Sequence, residues 1–275
     1  MKKGSVILLM LFFLFSGRQV IAQGNLLVAP IRVVFEGSKQ KEDLNLTNIG
    51  QDSAIYLVSF IHYQMQPDGS FKTIESADSF KMNADFVRIF PRKVTLPPGE
   101  SQTIRLQSRT PSELSNGEYR SHLYFRAEKE VSALGMSTSN ADSGKMSVSI
   151  TPIFGISIPV IVRKGDLKFK TSITNPKLIV DNDSVAHVAF TINRTGERSS
   201  YGDLRVSFIP TTGKAFDVGA ANGVGVYTDI ASRQFNVPLR IQAGKPLKNG
   251  KLVVRYLLPR EEGETELAKT ELQIP

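Results

Sequence analysis

Apolar and polar side chains alternate along much of this chain, and such alternation predicts half-buried β-strands. Between the N-terminal segment and residue 164 the pattern predicts about seven short strands. They include residues 26–35, 54–64, 86–90, 101–107 and 119–128. Asp68-Gly69 is a hairpin-type turn, and residues 97–100 (Pro-Pro-Gly-Glu) form a second strong turn signal. No segment has the spacing of an amphipathic helix, so we expect a β-sandwich.

A second set of strands follows Gly165, where the alternation starts afresh. The predicted strands include residues 185–192, 204–209, 234–241, 252–257 and 266–274. Asn175-Pro176 and residues 181–184 are predicted to be turns. The sequence therefore predicts two all-β domains, at residues 23–164 and 165–275, with a very short link at Gly165. A short link should hold the domains at a defined angle and leave a cleft between them.

The N-terminal residues follow the order of a secretory signal peptide. Lys2 and Lys3 form a basic region, residues 6–15 are almost continuously apolar, and Val20-Ile21-Ala22 offers a small-residue cleavage site. The apolar run is about half of the roughly 20 residues that a membrane-spanning helix needs. We therefore expect residues 1–22 to be cleaved, and we expect no insertion into the membrane.

Composition removes several classes of function. The chain contains no cysteine, which excludes disulfides, cysteine-based metal sites and cysteine nucleophiles. Loss of the signal peptide would lower the formal net charge from +8 to +5, because Lys2, Lys3 and Arg18 leave with it. The remaining basic residues are dispersed, so nucleic-acid binding is not expected.

Candidate catalytic and cofactor motifs are weak. His62, His122 and His187 lack metal-ligand spacing, and each falls in a strand pattern. The Gly223-Val224-Gly225 segment lacks the third glycine and the βαβ unit of a dinucleotide-binding turn. No G-x-S-x-G nucleophile motif is present. We therefore expect no enzyme activity, no metal and no cofactor.

Residues 145–165 contain the most regular alternation in the chain. The apolar positions in its first half are Met146, Val148, Ile150, Pro152 and Phe154. Serine and threonine fill the positions between them, so one face is a ridge of large apolar side chains and the other carries small hydroxyls. The pattern leaves two alternatives open: the ridge packs into this chain's own core, or it binds another protein. An exposed ridge can also mediate self-association of the free chain.

Several motifs occur in a characteristic order along residues 26–163. They are residues 30–37 (PIRVVFEG), 90–92 (FPR), 96–99 (LPPG), 102–106 (QTIRL), 117–125 (GEYRSHLYF) and 158–163 (IPVIVR). In this order the chain resembles the PapD-like periplasmic chaperones of the chaperone–usher pilus pathway. Beyond Gly165 the resemblance rests on size and β content.

The resemblance implies two immunoglobulin-like β-sandwiches in a boomerang arrangement and a location in the periplasm. It also implies a function without catalysis. Such chaperones lend their long strand to pilus or fimbrial subunits that lack a final strand, and deliver them to an outer-membrane usher. The ridge from Met146 to Phe154 would be the donor strand here. A divergent branch of the family is expected, because a long loop precedes this ridge.

The resemblance also implies a site for the subunit's terminal carboxylate. Arg32 matches the arginine that anchors this carboxylate, and a planar guanidinium can pair with both of its oxygens. The second family anchor is a lysine four residues before Arg163, where this chain has Pro159. Arg120 is our candidate replacement. Arg163 matches an arginine used in an interdomain ion pair.

Two other functions remain open from the sequence. The chain could be a secreted two-domain adhesin or structural module whose ridge packs internally. A periplasmic hydrolase or polysaccharide-binding protein is the third class, although the absence of tryptophan argues against a carbohydrate-stacking platform.

Overall fold

The computed structural model describes residues 26–74, 81–128, 155–180, 186–241 and 247–275. Strands form nearly all of the regular structure in these ranges, and the only helical element there is the 3₁₀ turn Arg260–Glu262. Within the same ranges no helix is long and apolar enough to cross a membrane. The predicted all-β class with two β-sandwiches is confirmed. The signal-peptide residues 1–22 and the predicted donor residues lie outside the described residues. The latter are Met146, Val148, Ile150, Pro152 and Phe154.

The first sandwich and its hairpin are built from eleven strands. They are β1 Leu26–Ala29, β2 Val33–Phe35, β3 Lys41–Asn48, β4 Ala54–Ile61, β5 Tyr63–Met65, β6 Phe71–Thr73, β7 Val87–Phe90, β8 Lys93–Leu96, β9 Ser101–Ser108, β10 Gly117–Glu128 and β11 Gly155–Lys164. One sheet has the order β1-β3-β9-β7 and the other the order β2-β11-β10-β4-β8. All neighbours are antiparallel except β2 and β11, which are parallel.

Alternation along the central strands builds the core of this sandwich. Leu44 of β3 lies opposite Ile104 of β9, and both are fully buried. Leu123 and Phe125 of β10 cover them from the second sheet and are also inaccessible to solvent. Burying each such side chain contributes about 1.5–3 kcal/mol to folding. The other faces of these strands are free to carry polar groups, and on β10 that face carries the candidate site.

Residues 26–35 form two strands rather than the single strand predicted. β1 belongs to one sheet and β2 to the other, and Pro30 lies between them. Proline lacks an amide N–H and cannot continue a strand ladder, so the chain leaves the first sheet at this point. The crossing brings Arg32 to the edge of the second sheet, next to β11.

The second sandwich contains seven strands. They are β12 Phe169–Val180, β13 Ala186–Gly196, β14 Ser200–Pro210, β15 Phe216–Val226, β16 Ser232–Pro238, β17 Gly250–Leu257 and β18 Glu266–Ile274. Its sheets have the orders β12-β13-β16 and β15-β14-β17-β18, and all neighbours are antiparallel.

Two predictions for the second sandwich were wrong. Asn175-Pro176 is not a turn, because β12 continues through it with a register shift between Thr174 and Lys177. Asn175 has a φ of 54°, a left-handed conformation that asparagine tolerates better than most residues. Strand β15 was not predicted, since its many glycine and alanine residues hide the usual alternation of large side chains.

The predicted turn at Asp68-Gly69 is confirmed, and it joins β5 to β6 as a hairpin. The Asp68 carboxylate accepts a hydrogen bond from the Ser70 amide at 2.9 Å, and Gly69 supplies a φ of +85°. The hairpin belongs to the first sandwich by sequence but contacts the second one.

Candidate functional site

One face of the β2-β11-β10 region carries most of the polar groups between the two sandwiches. Along β10 they alternate with core residues, and each lies opposite a residue of β11. The pairs are Glu118 opposite Arg163, Arg120 opposite Ile161, and His122 opposite Pro159. The strand period of two places all six side chains on the same face of the sheet.

Arg163 is the centre of a buried ion-pair network. Its Nε donates to Oε2 of Glu118 at 2.9 Å, and its Nη1 donates to Glu36 at 2.9 Å. The same Glu118 oxygen accepts hydrogen bonds from the backbone amide and hydroxyl of Ser199, at 3.1 and 2.9 Å. Arg198 also reaches Glu36, at 3.6 Å. Because Ser199 and Arg198 belong to the second half of the chain, the network places Arg163 at the contact between the sandwiches.

Arg120 already has a carboxylate partner in this chain. Its Nη2 donates to Oδ2 of Asp229 at 2.9 Å and to the Tyr63 carbonyl at 2.9 Å. The two charged side chains are 9% and 7% exposed. Asp229 also accepts the Met65 amide at 2.5 Å, so one carboxylate connects β10, the hairpin and the second sandwich. The predicted role of Arg120 as a subunit anchor gains no support from this arrangement.

The hairpin makes further contacts with the second sandwich. The Gln234 amide of β16 donates to the Pro67 carbonyl at 2.7 Å. The Arg233 guanidinium lies against Gly69, where an added Cβ would meet it at 2.5 Å. These contacts could not be predicted, since they join the turn to residues about 165 positions away along the chain.

His122 lies in an aromatic cluster and is neutral. Its ring makes edge contacts with Tyr63, Phe71 and Tyr227, with centroids 5.0 to 6.4 Å apart. Burial, reinforced by the positive charge of Arg120, lowers the pKa of His122 to about 3. His122 therefore cannot supply a second positive charge beside Pro159 at neutral pH.

Arg32 is the one arginine of this group with no carboxylate bonded to it among the described residues. Its Nε and Nη2 are buried without a hydrogen-bond acceptor there. The guanidinium carbon lies 4.1 Å from the centre of the Tyr201 ring, which comes from the second sandwich. Burial lowers the pKa of Arg32, and nearby Arg163 acts in the same direction. Arginine nevertheless stays protonated in proteins, so Arg32 carries a positive charge to which no carboxylate of the described residues is hydrogen-bonded.

The register of β2 and β11 places Arg32 next to Pro159. Val33 lies beside Val160 in the parallel β2–β11 pair, and continuing that register places Arg32 beside Pro159. Proline has no amine to offer a carboxylate. Pro159 therefore supplies no basic group at the position next to Arg32.

Strand β11 has an open edge next to this charge. β10 pairs with it from Gly155 to Lys164 on one side. On the other side β2 pairs only with residues 160–162. Within the described ranges no strand pairs with residues 155–159 on that side. An open edge presents unpaired backbone groups that can bind another strand.

A cavity of about 400 Å³ opens beside the Arg120–Asp229 pair. Its lining includes Lys81, Glu118 and Glu197, so both signs of charge face it. No group of three histidine, aspartate or glutamate side chains that could hold a metal ion occurs in the described ranges.

No protein-family model and no curated protein sequence matches the chain. Solved structures similar to it include the YadV chaperone, at 10% sequence identity over 91% of this chain and 100% of that chain, with a TM-score of 0.44. The Escherichia coli chaperone DraB is 13% identical over 91% and 96%, with a TM-score of 0.43. The CsuC–CsuE chaperone–tip subunit complex of Acinetobacter baumannii is 13% identical over 91% and 98%, with a TM-score of 0.42.

Replacing Asp229 by asparagine should destabilise the protein strongly. Asp229→Asn keeps the shape of the side chain but leaves Arg120 buried without its counter-charge, which should lower the free energy of unfolding by about 3 kcal/mol. Denaturant titration measures the change. Asp43→Asn is the matched control, because the Asp43–Arg105 pair is exposed and should contribute little. Equal effects of the two variants would contradict the central role of Asp229.

His122 should make the protein less stable in mild acid. Its depressed pKa means that the folded state binds fewer protons than the unfolded state once the pH falls below the ordinary value of 6.5. Stability is therefore fully present above pH 6.5 and is lost as the pH falls toward 3. By pH 5 the loss should be about 2 kcal/mol.

Urea unfolding at pH 7.5 and pH 5.0 checks this expectation. His122→Phe keeps an aromatic ring in the cluster but cannot titrate, so its stability should fall less over the same interval. An identical pH dependence in the wild type and the variant would show that His122 does not cause the effect.

Proposed function

We propose that this chain is a periplasmic, non-enzymatic chaperone that binds pilus or fimbrial subunits and delivers them to an outer-membrane usher. In this proposal residues 23–164 form the chaperone domain and residues 165–275 the second immunoglobulin-like domain. The observation that carries the proposal is the buried guanidinium of Arg32, which has no hydrogen-bonded anion among the described residues. A buried, unneutralised charge is unfavourable, and a ligand carboxylate would relieve it.

The subunit's terminal carboxylate is the anion that the surroundings of Arg32 favour. Arg32 lies next to the open edge of β11, where an added strand would run. A strand paired along that edge could end with its carboxylate at the guanidinium. A charge-assisted hydrogen bond in such a shielded place is stronger than one between neutral groups.

The proposed donor strand is continuous with β11. Residues 145–154 directly precede the open edge at Gly155, and the ridge on them has five apolar side chains, Met146, Val148, Ile150, Pro152 and Phe154. Backbone hydrogen bonds to the subunit would supply affinity, and the alternating side chains would fill its unfinished core. Four or five large side chains at about 1.5–3 kcal/mol each are enough to hold such a subunit.

The proposed anchor has one basic residue instead of two. Pro159 offers no charge, His122 is neutral, and Arg120 is bonded to Asp229. Arg32 is the basic residue that these contacts leave for the subunit. A single anchor is consistent with a divergent branch of the family.

Charged substitutions on the ridge should abolish subunit binding. Ile150→Asp or Phe154→Asp would place a carboxylate in the subunit's core, so co-purification with a pilus subunit encoded in the same gene cluster should fall at least about tenfold. Ser137→Asp, which adds the same charge in the preceding segment, is the control. An intact complex with both ridge variants would exclude strand donation and favour the alternative of an adhesin or structural module.

Arg32→Ala should also abolish recovery of that subunit while the chain itself stays folded. Loss of a buried charge pair costs about 2–5 kcal/mol of binding, so affinity should fall by a factor of roughly 30 or more. Circular dichroism and thermal unfolding check the fold. Arg88→Ala, on an exposed position of β7, is the matched control. Unchanged binding by Arg32→Ala would exclude the anchor.

A further inference from the structure

Two arginines of the first sandwich lie against tyrosines of the second in the same way. The guanidinium carbon of Arg120 is 3.8 Å from the centre of the Tyr227 ring, and that of Arg32 is 4.1 Å from the centre of the Tyr201 ring. At these distances the rings attract the cations and restrict the orientation of the guanidinium plane.

The two stacks differ in one component. Arg120 also has a carboxylate, that of Asp229, at 2.9 Å. Arg32 has no such partner among the described residues, and two of its nitrogens lack any acceptor there. At Arg120 the interface thus combines an arginine, a tyrosine ring and a carboxylate. At Arg32 the described residues supply the arginine and the tyrosine ring but no carboxylate.

Two glycines leave space for the side chain of Tyr201. It lies opposite Gly225 in the β14–β15 pair, and an added Cβ on Gly225 would come within 3.7 Å of its ring. An added Cβ on Gly223 would lie 3.0 Å from its hydroxyl oxygen, closer than most side chains tolerate. The Gly223-Val224-Gly225 segment therefore makes room for this ring. It lacks the features of a dinucleotide-binding turn, and its glycines have this structural role instead.

We infer that Tyr201 is a positioning residue of the binding site: its ring orients Arg32 toward the carboxylate at the end of a bound chain. This inference rests on the proposed function. The anchor then spans both sandwiches. The second sandwich contributes the aromatic face of Tyr201, whereas the family pattern has a lysine in the first sandwich. Tyr201 acts through Arg32 and does not replace its charge.

The expected effect follows from the strength of cation–π contacts. A desolvated contact of this kind changes an equilibrium by a factor of roughly 3 to 30. Removing the ring should weaken only the part of binding that depends on the ligand's carboxylate. The contribution of strand pairing should remain, because backbone groups and ridge side chains make it, and not the Arg32–Tyr201 contact.

A comparison of two peptides separates these contributions. The probe is a synthetic peptide with the C-terminal strand sequence of a pilus subunit from the same gene cluster, made once with a free carboxylate and once as the amide. Calorimetry gives the affinity ratio of acid to amide for each variant of the full mature chain. The wild type should prefer the acid by at least about tenfold, since one charged hydrogen-bonded contact is involved.

Three variants test the role of the ring. Tyr201→Phe keeps the aromatic face and should preserve the ratio. Tyr201→Leu fills similar space without a π face and should reduce the ratio about tenfold. Phe169→Leu is the control, because it removes another stack of the second sandwich, that with Arg198 at 5.1 Å, and should leave the ratio unchanged.

The outcomes distinguish this inference from the proposed function. If Arg32→Ala removes the preference for the acid but Tyr201→Leu retains it, Tyr201 has no positioning role and the chaperone proposal stands. If the wild type does not distinguish acid from amide, the carboxylate anchor itself is wrong. Loss of the preference in Tyr201→Phe as well as Tyr201→Leu would overturn the stacking argument, because the ring would then not suffice. Thermal unfolding of each variant shows whether it is folded.

Discussion

The need to neutralise buried arginines organises the interface between the two sandwiches. A guanidinium removed from water loses hydration that only an anion with well-placed hydrogen bonds restores. Arg163 has Glu118 and Glu36, and Arg120 has Asp229. These pairs connect the sandwiches because Ser199 bonds to Glu118 and because Asp229 itself belongs to the second sandwich. Arg32 lies on the same face of the sheet without such a partner among the described residues, and the proposed ligand site is the consequence of that difference.

Backbone constraints place the unpaired arginine where a strand could reach it. Pro30 cannot continue the β1 ladder, so the chain crosses to the other sheet and β2 pairs with β11 for only three residues. Among the described residues, the short pairing leaves the β11 edge open from Gly155 to Pro159, directly after the apolar ridge in the sequence. A longer β2 would have covered this edge. The same crossing therefore positions the cation and exposes the backbone groups beside it.

The sequence predicted the strands whose alternation is strong and missed those whose residues are small. The period of two identified β9, β10 and β11, whereas the glycine-rich β15 had no alternation to detect. Arg32 was predicted through a motif at the start of the chain. Asp229, Tyr227 and Tyr201 could not be predicted, since each acts only after the second sandwich folds against the first. The pairing of Arg120 with Asp229 spans 109 positions, and no local pattern specifies a contact at that separation.

Because Arg32 lies next to the open edge of β11, it could also set the register of a strand paired along that edge. Alternation gives every strand two faces, and a slip of one residue would turn the whole ridge away from the subunit's core. Backbone pairing alone tolerates such a slip, because every register offers similar hydrogen bonds. A chain-terminal carboxylate occurs once per subunit, and in the proposed complex Arg32 would bind it in one position only. In the proposed complex the strand therefore supplies most of the affinity, while Arg32, held by Tyr201, selects the register in which the ridge faces its pockets.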